Sequence, residues 1–495
     1  MPHLHTTCNS EMEGLDSGLT SGLLSGVAAR YQIANGGQSS NDADDSSIRA
    51  SFFGLLPRES KRRPMDLPQK RLARDLANAF FRYVNPYIPV LHHGSFQEIL
   101  DELYSNLTGR HSPLKLYTVF IVFAIGAAKS KEKSDRDSFQ TFDYYHGLPK
   151  GKRRRLSASP YTPENYKESA MAYLDSYMGK VPSCDFLTRL EELQAVLLLC
   201  IFTLLKPGIP TLASLLNVVI HSATDLRLYS DHNPSIEIHS ESPVWHIKSD
   251  STSQGCIQEL HRRLWWSVYS LERLVAPYLD RPFVTPDEVI TTRFPDLVDN
   301  HLYSKKIHDC FQSSQIYNRI THHHLNLRCL QSEIHRMIQY QYALLAERDQ
   351  PLEHRWKAPP FLKGPYTFNS WRSKMIERLD EWRHLIPRHS ETKLDSYRAL
   401  MELEYWQTTI TLYRRSISVP EDLVEFASLN NLMSESTTET FKERNKNCFN
   451  MAHACQKVIE IYRETQLSGF PHIAYLATDW VFIAGESRSY VFKPD

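Results

Sequence analysis

Apolar residues recur along this chain at the spacing of one helical face. Leu72, Leu76, Phe80 and Val84 lie four residues apart, and the proline of Asn85-Pro86 should end that helix because its ring blocks the helical backbone. Period-two alternation, which is typical of strands, is rare. Comparable helical patterns begin near Pro163 and cover 193–205, 306–348, 367–385, 395–416 and 437–466. The pattern predicts an all-α fold, a large multi-helix domain.

Three segments interrupt this pattern. Residues 1–50 are rich in Ser, Gly, Asn and Asp, a composition that predicts a disordered N-terminal tail. Residues 129–160 are polar and basic, and we interpret them as an exposed loop inside a domain over 51–485. Residues 486–495 form the C-terminal end.

Ser95 and Glu98 have the spacing of a capping box, which predicts a helix start there.

The composition and charge of the chain limit the kinds of molecule that it is expected to bind. Lys plus Arg and Asp plus Glu both number 57, so the formal net charge is zero and no global attraction to nucleic acid or anionic membrane is expected. The longest apolar runs, 117–128 and 193–205, are shorter than the ~20 residues of a membrane span. Eight scattered cysteines form no C-x-x-C pair, which indicates reduced thiols in an intracellular protein.

Motifs for catalysis and cofactor binding do not occur. Phosphate-binding glycine loops, nucleophile elbows and paired-histidine zinc motifs are missing from the sequence, so neither an enzyme nor a cofactor is predicted. A cluster of candidate metal ligands lies within one predicted helix, but none of its members are three or four residues apart, as a shared helical face requires. We therefore predict no metal site from this cluster: His322, His323, His324, Cys329 and His335.

A compact basic run lies in the predicted loop. Such runs serve nuclear import or nucleic-acid contact, and the alternative is solvated surface charge. The candidate residues for nuclear import are Lys150, Lys152, Arg153, Arg154 and Arg155.

The stretch HRRLWWSVYSLERLVAPYLDRP contains the strongest helical pattern. Its apolar face consists of Leu260, Leu264, Val268, Leu271 and Val275. Trp265 and Trp266 widen that face, so we predict a mostly buried helix over about 257–276, ended by Pro277. Arg262 should stack on Trp266, and the buried arginines should pair with carboxylates or carbonyls. The alternative is a ligand-contacting surface.

This stretch resembles the signature of the fungal-specific transcription factor domain, the middle homology region of fungal zinc-cluster transcription factors. The matching residues are Arg262, Arg263, Trp265, Trp266, Tyr269, Leu271, Arg273, Arg281 and Pro282. Glu272 and Asp280 depart from the family's usual Asp and Gly. Other stretches that resemble the family follow in its order, at 76–96, 124–128, 190–199, 379–387, 403–417 and 448–462.

The resemblance implies a nuclear transcriptional regulator that controls a metabolic or secondary-metabolite gene cluster through its helical body. Implied partners are other transcription factors or the transcription machinery, a small-molecule effector, and a second subunit in a homo- or heterodimer. The family's DNA-binding module holds zinc with six cysteines, whereas Cys8 is the only cysteine before Cys184. Zinc and direct DNA contact are therefore expected only through a further N-terminal module, and otherwise DNA is reached through a partner. The alternative function is an all-α small-molecule-binding protein or enzyme that uses the same helical body.

Overall fold

The part of the chain described by the computed structural model is mainly helical. These residues form helices joined by turns, without a strand, so the all-α prediction is confirmed. The described residues are 63–106, 109, 111–142, 161–178, 186–205, 209–232, 251–279, 281–296, 311–346, 368–387, 395–417, 436–467 and 480–485.

Eleven α-helices follow one another in the described part of the chain. The α-helices of the described residues are α1 Lys70–Tyr83, α2 His93–Ser105, α3 Pro113–Phe142, α4 Pro163–Met178, α5 Phe186–Leu205, α6 Ile209–Asp225, α7 Ser251–Val275, α8 Phe311–Ala346, α9 Phe368–His384, α10 Asp395–Ile417 and α11 Ser436–Leu467. Two 3₁₀ turns, Ala276–Leu279 and Asp287–Val289, follow α7, and residues 480–485 are helical.

Most predicted helix ends agree with the structure. Helix α1 ends just before Val84-Asn85-Pro86, and α7 ends two residues before Pro277, as the missing proline N–H requires. The predicted loop at 129–160 is wrong over its first part, because α3 continues to Phe142. That part has neither glycine nor proline, and polar residues such as Lys and Glu are good helix formers, so polarity did not indicate a break.

The predicted capping box at Ser95 and Glu98 is also wrong. Helix α2 begins at His93, and the N-cap is His92, whose imidazole Nδ1 accepts a hydrogen bond from the backbone N–H of Ser95 at 3.2 Å. The Ser95 hydroxyl lies 3.1 Å from the same nitrogen. A histidine ring thus satisfies the free helix N–H that a serine usually satisfies.

The apolar runs of the sequence form the core. Val119 to Ile125 in α3 and most of 193–204 in α5 are buried, and among the described helices none is both long and apolar enough to cross a bilayer. The described residues, apart from Met178, belong to one compact unit formed by 60–177 and 185–495. Within it, α7 packs against α5, α6 and α8, while α10 packs against α11 and α9.

A close helix contact explains one glycine. Helix α1 packs on α3 at Gly126, where a Cβ atom would overlap the backbone carbonyl of Leu76. Only glycine lets the two backbones approach this closely.

Candidate functional site: the signature helix and the cavity beneath it

The two tryptophans of α7 face the interior. Trp265 and Trp266 are 2% and 5% exposed, and the Trp266 indole Nε1 donates a hydrogen bond to the Arg293 carbonyl at 2.8 Å. The Trp266 ring also meets the Phe294 ring edge-on, with 4.5 Å between centroids. The contacts of Trp266 with Arg293 and Phe294 therefore hold α7 against the segment that follows it.

The first two signature arginines are bound by carboxylates. Arg262 lies 3.4 Å from Asp231 and 3.5 Å from Asp296, so its guanidinium pairs with carboxylates and not with the Trp266 ring that the sequence pattern predicts. Carboxylates bind this buried guanidinium in preference to the indole because a charge-assisted hydrogen bond is stronger than a cation–π contact. Arg263 pairs with Glu259 at 2.7 Å, one helical turn away.

Arg273 is the centre of a second polar cluster. Its fully buried guanidinium donates hydrogen bonds to Asp287 at 2.9 Å, to the Thr285 carbonyl at 2.7 Å and to the Ser332 hydroxyl at 3.2 Å. It also lies over the rings of Tyr269 and Phe283, 4.2 and 4.3 Å from their centroids. One side chain thus joins α7, α8 and the connecting segment.

The adjacent Glu272 completes this cluster. Its carboxylate pairs with Arg273 and accepts a hydrogen bond from the backbone N–H of Val284 at 2.6 Å. The glutamate that replaces the family's usual aspartate therefore holds the segment after α7 in place.

The last two signature residues do not belong to the buried helix. Arg281 and Pro282 follow the turn at Pro277 and are exposed, and Arg281 makes one 3.4 Å contact with the Asn217 side-chain oxygen. Asp280, which replaces the usual glycine, lies outside the described residues. So do all five nuclear-import candidates at 150–155.

The neighbouring histidines of α8 point to three different partners. His322 is hydrogen-bonded to the Pro295 carbonyl, His323 stacks on Trp382 with 4.4 Å between centroids, and His324 faces Glu404. Within the described ranges, no three His, Cys, Asp or Glu side chains are grouped as metal ligands. Each of the three rings therefore makes a separate contact within the fold.

A buried ionic cluster joins α8 to α10. The Glu404 carboxylate accepts a hydrogen bond from Arg328 at 3.1 Å and lies 3.2 Å from the His324 ring. Burial alone would raise the pKa of Glu404, but Arg328 and His324 lower that pKa to about 2. Burial, opposed by Glu404, lowers the pKa of His324. Near neutral pH the cluster is therefore an ionised Glu–Arg pair beside a neutral imidazole.

Above this cluster lies a cavity of about 100 Å³. It lies between α7, α8, α10 and α11, and its polar wall includes Ser270, Tyr278 and Gln407. Sequence reasoning missed it. His324 and Arg328 share one helical face, which was a readable signal, but Glu404 is distant in sequence and nothing local connects it to them. The remaining lining includes Tyr83, Tyr87, Ile88, Lys129, Ile201, Leu204, Leu274, Leu400, Leu403, Tyr462 and Trp480.

A larger, more open groove of about 650 Å³ lies on the other side of α7. Its charged residues pair with one another, as Arg378 does with Glu333 at 2.8 Å and Arg336 with Asp287 at 3.7 Å. The groove therefore offers a ligand few charged groups that are not already paired.

The chain is similar to known regulators. It is 34% identical over 473 residues to the positive regulator of purine utilization of Emericella nidulans, covering 91% of this chain and 44% of that protein. It is 26% identical over 311 residues to the pyrimidine pathway regulatory protein 1 of Saccharomyces cerevisiae, covering 61% of this chain and 27% of that protein. The chain thus spans less than half of the length of these curated relatives.

The model of the fungal specific transcription factor domain matches residues 77–384. That region begins in α1, contains the whole of α7 and α8, and ends with α9. The prediction that the chain carries the regulatory body of a fungal transcription factor is confirmed by this match. The chain belongs to the fungal specific transcription factor domain family.

Proposed function

We propose that this chain acts in the nucleus as the regulatory part of a transcription regulator, and that its target genes serve the metabolism of nitrogenous bases. The observation that carries the proposal is the 34% identity over 91% of the chain to a positive regulator of purine utilization. The similarity to a pyrimidine pathway regulator supports the same class of pathway.

The signature helix is proposed as a structural element, with DNA contact made elsewhere. Its arginines are bound to Asp231, Glu259 and Asp287, so they are not available to neutralise phosphates, which is the main source of affinity for DNA. We propose that the chain reaches DNA through another transcription factor or through a further module of its own protein.

Regulation can be tested in the organism that encodes the chain. After deletion of the coding region, we expect transcripts for purine breakdown to stay at their basal level when a purine is the sole nitrogen source. RNA sequencing on a purine and on ammonium measures this difference, with the reintroduced wild-type gene as the control. Normal induction in the deletion strain would overturn the proposed pathway.

DNA contact can be tested with purified protein. We expect weak binding to duplex DNA, without sequence preference, that vanishes at physiological salt. Titrations at several salt concentrations measure the slope of the affinity. Tight, sequence-specific binding by this chain alone would contradict the proposal that DNA is reached indirectly.

An enzyme is not proposed, because the family and both relatives are transcription regulators. Binding of a small molecule is compatible with a regulator, and the cavity under α7 is where the structure supports it.

A further inference from the structure

The cavity under α7 has the size of a small ring compound. Its volume of about 100 Å³ is several times the roughly 10–15 Å³ that one water molecule needs on the same measure. Ligand sites of proteins are mostly apolar spaces with a few well-placed polar groups. This cavity has that character, because leucine and isoleucine side chains from α5, α7 and α10 surround its polar atoms.

Three polar atoms of the wall have no hydrogen-bond partner among the described residues. They are the Tyr87 hydroxyl, the Ser270 hydroxyl and the Arg328 Nε. All three side chains line the cavity, and their residues are 9%, 1% and 5% exposed. A buried polar group without a partner costs about 1–3 kcal/mol, so three around one cavity point to a ligand that satisfies them.

Ser270 differs from its neighbour on the same helix. The Ser267 hydroxyl, one turn earlier in α7, donates a hydrogen bond to the Arg263 carbonyl at 2.7 Å. This local bond is the usual way to satisfy a helical serine. Ser270 makes no such bond in the described structure, which leaves its hydroxyl available to the cavity.

All three atoms can donate to acceptors on the ligand, and Arg328 Nε can bind nothing else. Arg328 Nε is only a donor, and each hydroxyl can donate one hydrogen bond. The other two nitrogens of Arg328 already donate within the protein, Nη1 to Gln331 at 2.6 Å and Nη2 to Glu404 at 3.1 Å. Because Arg328 and Glu404 neutralise one another, this pair leaves no net charge that an ionic ligand would have to balance.

The walls select a flat molecule. Tyr278 accepts a hydrogen bond from the Trp480 indole, with the two rings edge to face at 6.4 Å, and both line the cavity together with Tyr87. Planar rings with exposed faces pack well against such aromatic side chains.

We propose that this cavity binds a small, uncharged, planar heterocycle that carries ring carbonyl oxygens, such as an oxopurine or oxopyrimidine. The carbonyl oxygens accept hydrogen bonds from Ser270, Tyr87 and Arg328, while the ring packs between leucine and aromatic side chains. Carbonyl acceptors and a planar ring follow from the cavity itself, and the choice of nucleobases within that class rests on the proposed function. Binding stabilises the contact of α10, α11 and residues 480–485 with α7, since these elements share the ligand.

The test is binding to the purified full chain. Calorimetry uses hypoxanthine and uracil as probes, and adenine as the control, because adenine has the shape of hypoxanthine but an amino group in place of its carbonyl. We expect hypoxanthine or uracil to bind and to raise the melting temperature, and adenine to bind at least tenfold more weakly.

Variants then locate the site. Ser270→Ala and Tyr87→Phe each remove one unpartnered hydroxyl, so we expect the dissociation constant to rise about fivefold to tenfold, with no loss of melting temperature in the ligand-free chain. Ser267→Ala on the same helix should leave ligand binding unchanged. The absence of binding by both probes, or equal affinities of the Ser270→Ala variant and the wild type, would overturn the site.

These outcomes are separate from those of the transcription experiment. Binding that is lost in the cavity variants supports the site even in a chain that induces no purine genes. Normal gene control by a chain that binds neither probe supports the proposed function and removes the site.

Discussion

The guanidinium of Arg273 lies 2.9 Å from the carboxylate of Asp287 and joins the signature helix to the segment that follows it. Arg273 also pairs with the buried Glu272. Breaking a buried ion pair by removing one partner costs about 3–5 kcal/mol, since the other charge, here that of Glu272, is left uncompensated. We expect Arg273→Met to lower the free energy of unfolding by about that amount, measured by urea denaturation.

Arg293 offers the matched control for this substitution. It pairs with Asp231 at 3.0 Å, but its side chain is 77% exposed, and exposed pairs contribute about 0–1 kcal/mol. Arg293→Ala should therefore change stability little. Equal effects of the two substitutions would show that burial does not strengthen the Arg273 pair.

Gly126 permits a close contact between helices α1 and α3. We expect Gly126→Ala to destabilise the domain by about 1–3 kcal/mol, because the new methyl group forces the backbones apart. Thermal melts followed by circular dichroism measure this. Gly485→Ala is the control, since a Cβ there meets no atom within 4 Å and alanine is the better helix former. A Gly126→Ala melt at the wild-type temperature would contradict the close approach.

Asn85 holds the turn after α1. Its amide donates to the Leu91 carbonyl and accepts from the Leu91 N–H, both at 3.0 Å. We expect Asn85→Ala to cost about 2 kcal/mol, because two buried backbone groups lose their partner. Asn85→Asp should also destabilise, since a carboxylate cannot donate to the carbonyl. Asn106→Ala at an exposed position is the control in the same denaturation series, and a loss there as large as at Asn85 would contradict this role.

Acid should destabilise the protein in two steps. Burial lowers the pKa of His261 and of His323 to about 4, so their neutral forms stabilise the fold fully above pH 6.5, and this stabilisation is lost as the pH falls from 6.5 to about 4. The lowered pKa of Glu404, about 2, adds a further loss below about pH 4.5.

Melting temperatures across this pH range test both steps. His323→Gln should reduce the loss of melting temperature between pH 6.5 and 4, and Glu404→Gln should reduce the loss below pH 4.5. A melting temperature that stays constant from pH 7 to 4.5 would rule out buried neutral histidines.

The basic run at 150–155 stays a prediction for nuclear import. Replacing Arg153, Arg154 and Arg155 with Ala in a fluorescently tagged chain should lower the ratio of nuclear to cytoplasmic signal several-fold, because import receptors recognise clustered positive charge. Arg62 and Arg63 of the basic stretch KRRP at 61–64, replaced in the same way, provide the comparison. An unchanged ratio in the triple variant would remove the assignment.

Sequence periodicity predicted the helices well and the site poorly, for physical reasons. The buried faces of α7 and α8 repeat every three to four residues, so local spacing reveals them. Helix α3 extended past its predicted end because nothing in its polar second half forbids helical backbone. The cavity combines Tyr87, Arg328 and Glu404, which meet only through tertiary packing, and no periodic pattern encodes such a meeting.

The cavity wall also has a consequence for how the protein is made. Along the sequence, the residues that line the cavity extend from Tyr83 to Trp480. The ribosome must therefore synthesise nearly the whole domain before the wall can be completed. Until Trp480 has been synthesised, the wall around Arg328 and Glu404 is incomplete. Domains are synthesised at roughly 5–20 residues per second, which leaves many seconds in which a chaperone or a protease can reach the unfinished wall.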